Sequence, residues 1–396
     1  MVMTFVFDPY APEVHRDPFP LYKILRDQHP TYFSEPGNCW VLSRYADITK
    51  ACLDTQTYSS AQGNIIDDSP ARAGATLGTT DPPRHDQLRK LVQAAFLHSN
   101  LEQMAEPARN EVREILVRAL EEDRGELDII NELATPVTTG ILAAILGFPA
   151  ENLVQVKRWV SDSLRRDPAT RKSPPQGDIA RQALTDLTQG VIDERRHHPT
   201  DDLISGLIVA RVDGEALSER EILMTSRTLI AAGVESTVSF FGNLALNLMT
   251  FDDARQRLIA DPGLIPDAIE ESLRYNTSAQ RFSRTLTRDV ELHRQTMRAG
   301  DKVMVLYGSA NRDERQFEDP DRYDIDRKPT QHLGFGHGKH YCIGAGFARI
   351  LSQVMCEELL QAIPGYELDM DEYELDWLPS PAFRSMVTFR ILFERF

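Results

Sequence analysis

The longest helical pattern in the sequence, Ser218–Met249, limits what the chain can fold into. Glu221 follows Ser218 by three positions, which is the capping-box arrangement that starts a helix. At 1.5 Å per residue this helix would be about 48 Å long. Its apolar part, Thr228–Met249, is interrupted by Glu235 and two asparagines, so a buried helix fits it better than a bilayer span. We therefore expect one long buried helix that crosses the whole molecule.

The rest of the chain predicts more helices and a few strands. Apolar residues at helical spacing predict five helices between residues 86 and 197 and another at Ala345–Ile363. Short strand-like runs follow Tyr275, and Thr31–Ser34 with Cys39–Leu42 resembles a hairpin. No internal repeat or low-complexity linker divides the sequence. The fold class predicted is mainly α with a smaller β portion.

Composition excludes several classes of protein. The chain has 396 residues, with 44 Lys plus Arg against 60 Asp plus Glu, a net charge of −16. That balance argues against binding to nucleic acid or to an anionic membrane surface. Four cysteines in so long a chain do not form a disulfide framework. The first ten residues lack a cationic start followed by an apolar core, so we expect no signal peptide or membrane anchor and a cytoplasmic protein.

The segment with the most specific chemistry is residues 332–347, HLGFGHGKHYCIGAGF. It allows three interpretations: a glycine-rich turn with an incidental cysteine, a zinc site, and a single thiolate that binds haem iron. The zinc interpretation would use His332, His337, His340 and Cys342. Zinc sites usually pair their ligands at tight spacing, such as two cysteines separated by two residues, and this segment has one cysteine.

A lone cysteine that follows a glycine-rich bend and opens an apolar helix suits one axial bond to a flat macrocycle. Gly336 and Gly338 would let the backbone lie close under the ring, and amides at the helix start would stabilise a thiolate. The order Phe335-x-x-Gly338-x-His340-x-Cys342-x-Gly344 resembles the haem-binding loop of the cytochrome P450 family.

This resemblance implies the triangular, mostly helical cytochrome P450 fold, with haem b between the long central helix and the helix after Cys342. It also implies one haem domain over residues 1–396, without a fused reductase. The cofactor contacts that it implies are His85, Arg89, Ala232, Gly233, Arg284, Phe335, Gly336, His340, Cys342 and Gly344.

Three further segments resemble the family. Glu271 and Arg274 are three apart in a predicted helix, a spacing that usually gives only a solvated ion pair. They resemble the family's buried Glu-x-x-Arg pair, which locks its helix to a polar segment such as Asn311–Arg327.

His85 and Arg89 are four apart, and such a pair is more often a surface feature. Because Asp81-Pro82-Pro83 precedes them, they resemble the helix whose basic side chains bind the haem propionates. Arg284 and His340 match two more propionate-binding positions, and four such groups against two carboxylates is chemically sensible.

The predicted long helix carries Ala232-Gly233-Val234-Glu235-Ser236-Thr237, which resembles the family's oxygen-activating motif with Glu235 as the acid. A glycine within a helix costs about 1 kcal/mol relative to alanine, so Gly233 needs a packing or functional reason. Ser236 and Thr237 are expected to bond back to preceding carbonyls and to open the helix locally, giving a proton path. The chain departs from the family here, because Ser236 stands where threonine is usual and Thr237 comes one position later.

The function implied is monooxygenation of a lipophilic small molecule, with a terpenoid or steroid as the class expected. The chain would use O2 and take electrons from a soluble ferredoxin and its reductase, as a monomer. The predicted docking face around Cys342 uses Arg89, Lys90, Lys339 and Arg349. The predicted substrate pocket draws on two loops, Ser59–Thr80 and Leu164–Gly177, and on Thr228, Ala231, Ala232, Gln280, Phe282, Ala382 and Phe383.

Two other functional classes remain open from the sequence. One is a haem-thiolate protein that binds a ligand, or isomerises or dehydrates it, without inserting oxygen. Glu235, Ser236 and Thr237 speak against that class. The other is a non-haem metal-binding protein that uses the histidine cluster, which a carbon monoxide spectrum of the thiolate type would eliminate.

Overall fold

The structure, a computed structural model, describes residues 5–95, 98–121, 125–149, 153–212, 214–369 and 375–394. About 53% of it is helical. The helices are α1 (Pro12–Arg16), α2 (Phe19–Gln28), α3 (Tyr45–Leu53), α4 (Arg84–Ala95), α5 (His98–Glu121), α6 (Thr135–Leu146), α7 (Leu153–Leu164), α8 (Pro175–His197), α9 (Leu203–Val209), α10 (Glu219–Thr250), α11 (Asp252–Ala260), α12 (Ile265–Tyr275), α13 (Tyr307–Ala310) and α14 (Ala345–Ala362).

The strands are short. They are β1 (Thr31–Ser34), β2 (Cys39–Leu42), β3 (Tyr58–Ser59), β4 (Glu126–Asp128), β5 (Arg211–Val212), β6 (Glu215–Ala216), β7 (Arg281–Leu286), β8 (Val290–Leu292), β9 (Gln295–Met297), β10 (Lys302–Leu306), β11 (Glu367–Leu368) and β12 (Arg390–Leu392). The prediction of a mainly α fold with a smaller β portion is confirmed.

Helix α10 is the long buried helix that the sequence predicted. Ser218 caps it: its hydroxyl accepts a bond from the Glu221 amide at 3.2 Å, and the Glu221 carboxylate accepts one from the Ser218 amide at 3.0 Å. Its neighbours include α6, α7, α8 and α14, so it runs through the helical core. The cap sets where α10 begins, and its buried side chains hold it in the core, where it forms one wall of the cavity described below.

The main sheet lies beside the helical core and has its own apolar cluster. Its strand order is β1-β2-β10-β7-β3. The β1–β2 hairpin has the bounds that the sequence predicted, and β10 pairs in parallel with β2 and antiparallel with β7. The partnership of β12 with β4 was missed, because Ile391 and Leu127 are far apart in sequence.

The Glu271–Arg274 pair has the structural role predicted for it. Both side chains are fully buried, and two hydrogen bonds of 2.8 and 2.7 Å join the guanidinium to the carboxylate. Arg274 also donates to the carbonyls of Asn311, Pro320 and Arg322. The pair therefore ties α12 to the polar segment that follows α13.

Among the residues that the structure describes, two helical stretches are long and apolar enough to cross a membrane by length and composition, Ile129–Leu146 and Glu219–Thr250. The second of these is the buried helix that the sequence predicted. In each, 72% of the apolar window is buried inside the protein. Both are accounted for as core helices.

Candidate active site

The loop before α14 is held in a tight bend that presents Cys342. The Cys342 amide donates to the Phe335 carbonyl at 2.9 Å, which closes the loop. Gly336 and Gly338 have φ values of 72° and 70°, in the left-handed region that favours glycine. A Cβ on Gly338 would lie 2.7 Å from the carbonyl oxygen of Cys52 in α3. Gly336 lines a cavity, as expected, whereas the role of Gly338 is close packing against α3.

Cys342 differs from the other three cysteines of the chain, because it is exposed and they are buried. Its exposed surface faces the cavity, while the surrounding protein is dense enough that burial raises the pKa of the thiol. The Gly344 amide, together with the charges of Arg89 and Arg349, acts in the opposite direction. The site therefore contains groups that stabilise a thiolate on the only cysteine with an open face.

Two adjoining cavities of about 680 and 240 Å³ lie between α10 and the cysteine loop. Cys342 and Ala232 line both of them, as do Phe282 and Phe383, so we treat them as one space. The larger part opens toward the loops after β3 and α7. A flat macrocycle bound by Cys342 would have α10 on its other face.

The predicted propionate ligands meet around this space. His85, Arg89 and His340 line the larger part, and Arg284 and His340 line the smaller. The rings of His85 and His340 are 4.5 Å apart between centroids.

Their hydrogen-bonding capacity is incompletely used by the residues that the structure describes. Nε2 of His85 is buried without a partner, and neither ring nitrogen of His340 makes a hydrogen bond of normal geometry, although the Leu77 backbone lies close. Arg284 is buried and forms no ion pair with a described carboxylate; it donates to the Ser283 carbonyl at 2.8 Å. Donors that are buried and unpaired fit the carboxylates of a haem.

The pKa values of both histidines are shifted toward the neutral form. Burial lowers the pKa of His340 to about 3, and the positive charges of Arg284 and Arg89 add to this effect. Burial also lowers the pKa of His85, although Asp86 acts against it. Neutral imidazoles can each donate one hydrogen bond to a carboxylate.

The α10 motif differs in part from its expectation. The Ser236 hydroxyl donates to the Ala232 carbonyl at 2.6 Å, as predicted, but Thr237 forms no such bond in the described chain. The predicted local opening is wrong, since α10 is continuous from Glu219 to Thr250. Gly233 has a packing reason, because a Cβ there would lie 2.5 Å from Cδ2 of Leu142 in α6.

Glu235 is fully buried and lines neither part of the cavity. Its carboxylate accepts hydrogen bonds from Lys157 and Ser161 at 2.9 Å, from Ser385 at 2.5 Å and from Ser239 at 3.1 Å. Burial alone would raise the pKa of Glu235, but Lys157 and these hydroxyls hold it below its ordinary value. The acid of the motif is thus an ionised group behind α10.

The structure places most positions predicted for the substrate pocket in the cavity wall. Thr228, Ala231, Ala232, Phe282 and Phe383 line the cavity, as do parts of both predicted loops.

Gln280 and Ala382 do not line the cavity. The side-chain amide of Gln280 donates to the Thr277 carbonyl at 2.6 Å. The Ala382 carbonyl accepts hydrogen bonds from the backbone amides of Gln280 and Arg281. These two positions hold β7 to the chain near Phe383 rather than face a ligand.

Sequence reasoning missed several lining residues on helices, of which Arg181, Arg227 and Leu142 are examples. The charged ones resemble ordinary solvated residues in the sequence, and no local signal sets them apart. It also missed Lys157 and Ser385, the partners of Glu235, which are 78 and 150 residues from it in sequence.

The predicted basic docking face is largely neutralised. Lys339 pairs with Asp86 at 2.8 Å, and Arg349 makes two bonds with Glu270 at 2.6 and 2.9 Å. Lys90 is exposed. Arg89 donates to the Tyr341 carbonyl at 2.8 Å, so it supports the cysteine loop.

Comparisons with known proteins agree with this geometry. The family model "Cytochrome P450" matches residues 177–374. Cytochrome P450 130 of Mycobacterium tuberculosis is 36% identical over 93% of each chain. Mycinamicin IV hydroxylase/epoxidase of Micromonospora griseorubida is 36% identical over 88% of this chain and 87% of its own. The structure of CYP109E1 from Bacillus megaterium in complex with testosterone superposes with a TM-score of 0.89 at 30% identity, covering 97% of this chain and all of the other.

The exposed Cys342 in its closed loop, the unpaired donors around the cavity and similarity over nearly the whole length lead to one conclusion. The chain belongs to the cytochrome P450 family of haem-thiolate monooxygenases, oxidoreductases whose cofactor is haem b.

Proposed function

We propose that this protein hydroxylates a lipophilic small molecule, using O2 and electrons from a separate soluble ferredoxin with its reductase. The observation that carries the proposal is the single exposed cysteine, Cys342, at one wall of a cavity of about 680 Å³. We place the protein in the cytoplasm as a monomer with one haem domain. A terpenoid or steroid-like body is the substrate shape proposed.

Residues on the cysteine side would hold the cofactor. The Cys342 thiolate would bind the haem iron, and the Gly344 amide would stabilise the sulfur's negative charge. His85, Arg89, Arg284 and His340 would supply hydrogen bonds to the two propionates. Bound haem supplies the oxygen chemistry, in which thiolate ligation favours cleavage of the O–O bond.

Residues of α10 would deliver protons to the cavity. Ser236 and Ala232 are four apart and share a face, and both line the smaller part of the cavity. Thr237 also lines it but is 2% exposed, whereas Ser236 is half-buried. We therefore assign the hydroxyl role to Ser236.

Glu235 and Lys157, neither of which lines the cavity, would be the source of these protons. The Glu235 carboxylate contacts Lys157 of α7 and Ser385 and lines neither part of the cavity, so this pair would act on the cavity from outside its lining. Glu235 accordingly supports proton delivery without touching the substrate.

The substrate proposal rests on the walls of the cavity. Leu229, Ala231, Phe282 and Phe383 give it apolar surface, and Ala232 leaves space next to the cysteine end. Similar proteins include a mycinamicin hydroxylase/epoxidase and a structure that contains testosterone, which supports a bulky apolar ligand.

The test is a screen of lipophilic compounds for a shift in the spin state of the ferric enzyme. Compounds that bind are then incubated with NAD(P)H and a surrogate ferredoxin system, and the product mass is measured. We expect the mass to rise by one oxygen atom, with oxygen consumed only when substrate is present. Isomerised or dehydrated product without oxygen uptake would contradict the proposal.

A further inference from the structure

The larger part of the cavity, whose mouth is formed by the loops after β3 and α7, carries an excess of positive charge. Among the described residues that line the larger part, seven are Lys or Arg and three are Asp. They are Arg72, Arg89, Arg166, Arg171, Lys172, Arg181 and Arg227, against Asp67, Asp68 and Asp178. The whole chain has the opposite balance, −16. Because low-dielectric walls focus the field of their charges, this cavity favours a negatively charged ligand.

The three aspartates pair with only some of the seven cations. Each already has an arginine partner: Asp67 with Arg166, Asp68 with Arg72, and Asp178 with Arg181. Arg171 pairs with Asp8, outside the cavity lining. Lys172 is exposed, so solvent screens its charge.

Arg227, in α10, is different from these cations. It is half-buried and forms no ion pair with any carboxylate that the structure describes. Within the described chain its one hydrogen bond runs from Nη1 to the Thr185 hydroxyl at 2.9 Å, which leaves most of the five N–H donors of the guanidinium without a described partner. Burial lowers the pKa of Arg227, and the charges of Arg72 and Arg181 lower it further, with only Asp68 acting against them. Its charge is therefore poorly compensated within the protein.

A second polar group lies next to it. The Thr228 hydroxyl lines the same cavity and is buried without a hydrogen-bond partner in the described part of the chain. A buried hydroxyl without a partner carries a free-energy cost that a polar ligand group would remove.

We propose, on the basis of the monooxygenase function above, that the substrate is a lipophilic acid whose carboxylate binds Arg227. The planar guanidinium offers two parallel N–H donors to the two oxygens of a carboxylate, and Thr228 is a neighbouring donor. The apolar body of the acid then lies along Leu229, Phe282 and Phe383.

This arrangement also fixes which end of the substrate is oxidised. Arg227 precedes Ala232 by five residues, which is about 7.5 Å along the helix axis toward the N-terminus of α10. The carboxylate is therefore held away from Ala232 and Ser236, and oxygen enters a carbon remote from the acid.

The test compares lipophilic acids with their own methyl esters on the haem-loaded enzyme. Dodecanoic acid, hexadecanoic acid and cholanic acid serve as probes, and dissociation constants come from equilibrium dialysis and from the ferric spin-state shift. At least one acid should bind the unmodified enzyme roughly tenfold or more tightly than its ester, as a charge-assisted bidentate contact implies. Arg227→Met should weaken that acid by roughly 10- to 100-fold and leave the ester within about twofold, while Arg227→Lys recovers part of the loss.

Arg158→Met is the matched control, because Arg158 is an exposed cation of α7 outside the cavity lining. It should change neither ligand's affinity. The inference is overturned if every acid binds like its ester, or if Arg227→Met weakens acid and ester alike. Oxygen insertion into a neutral lipophile would then still support the monooxygenase function, so the two failures are distinguishable.

Discussion

The positively charged side chains at the two ends of the cavity differ in whether a carboxylate of the same chain pairs with them. At the mouth, Arg72, Arg166 and Arg181 each have an aspartate of the same chain as a partner. At the cysteine end, Arg284 has no carboxylate partner among the described residues, and His340 has nitrogens without hydrogen bonds of normal geometry. Since burying an unpaired donor is costly, the cysteine end is built for an anion that the chain itself does not supply. At the mouth, the ion pairs stabilise loops instead. Arg227 is the exception there, because it has no carboxylate partner among the described residues.

The largest effect should come from removing an unpaired cation at the cysteine end. Arg284→Ala leaves a haem propionate short of a buried donor, at a cost of about 2–5 kcal/mol, so haem affinity should fall by far more than tenfold. Arg166→Ala, at the mouth, should leave haem affinity unchanged. The measurement is the rate of haem transfer to an excess of apomyoglobin.

Arg284→Lys separates this effect from misfolding, because it keeps the charge and should recover part of the haem affinity. Equal transfer rates for Arg284→Ala and Arg166→Ala would remove the distinction between the two ends.

A Glu235 variant tests whether a charge that is paired with Lys157 and lies outside the cavity lining contributes to turnover. If the Glu235–Lys157 pair supplies protons, Glu235→Gln should lower turnover by roughly 100-fold, the usual size of an acid–base contribution, with little change in substrate affinity. Oxidation rate and the spin-state titration measure the two quantities. Unchanged turnover would reduce the pair to a structural role.

The unpaired histidines predict a pH dependence that haem should suppress. The pKa of His340 is about 3 in the folded protein and its ordinary value is 6.5, so the unfolded chain binds the extra proton between these values. Folding stability of the haem-free protein should therefore fall as the pH drops below 6.5, by up to about 2 kcal/mol at pH 5. Urea unfolding at pH 7 and pH 5 measures it.

Bound propionates would raise the pKa of His340, so the holoprotein should lose less stability over the same range. His340→Asn should reduce the difference between the two pH values by up to about 2 kcal/mol, while the buried His15, whose pKa is also lowered to about 3, keeps its own contribution. An identical pH dependence with and without haem would show that the histidine does not face the propionates.

The smallest effect concerns the partition of reducing equivalents. Ser236→Ala should release hydrogen peroxide in place of product, because the hydroxyl on the Ala232 face is lost. Thr237→Ala, at the more buried neighbour, should mainly alter substrate fit. Product formed per NAD(P)H, with peroxide measured in parallel, compares them. The reverse pattern would move the proton role to Thr237.

The parts of the site that the sequence predicted are those encoded locally. The cysteine loop is specified within eleven residues, from His332 to Cys342, and the cap of α10 within four. The bonds of Glu235 could not be predicted, because Lys157 and Ser385 reach it only through the packing of distant elements. For the same reason Gln280 was assigned to the pocket, although its side chain bonds to the local backbone.

The central claim is that Cys342 is the axial ligand in this cavity, and the carbon monoxide spectrum of the reduced enzyme tests it most directly. The unmodified protein and Cys356→Ala, which changes a buried cysteine of α14, should both show the thiolate-type band. Cys342→His should lose that band while the protein stays folded. If Cys342→His kept the thiolate-type band, or if Cys356→Ala lost it, the assignment of Cys342 would be contradicted.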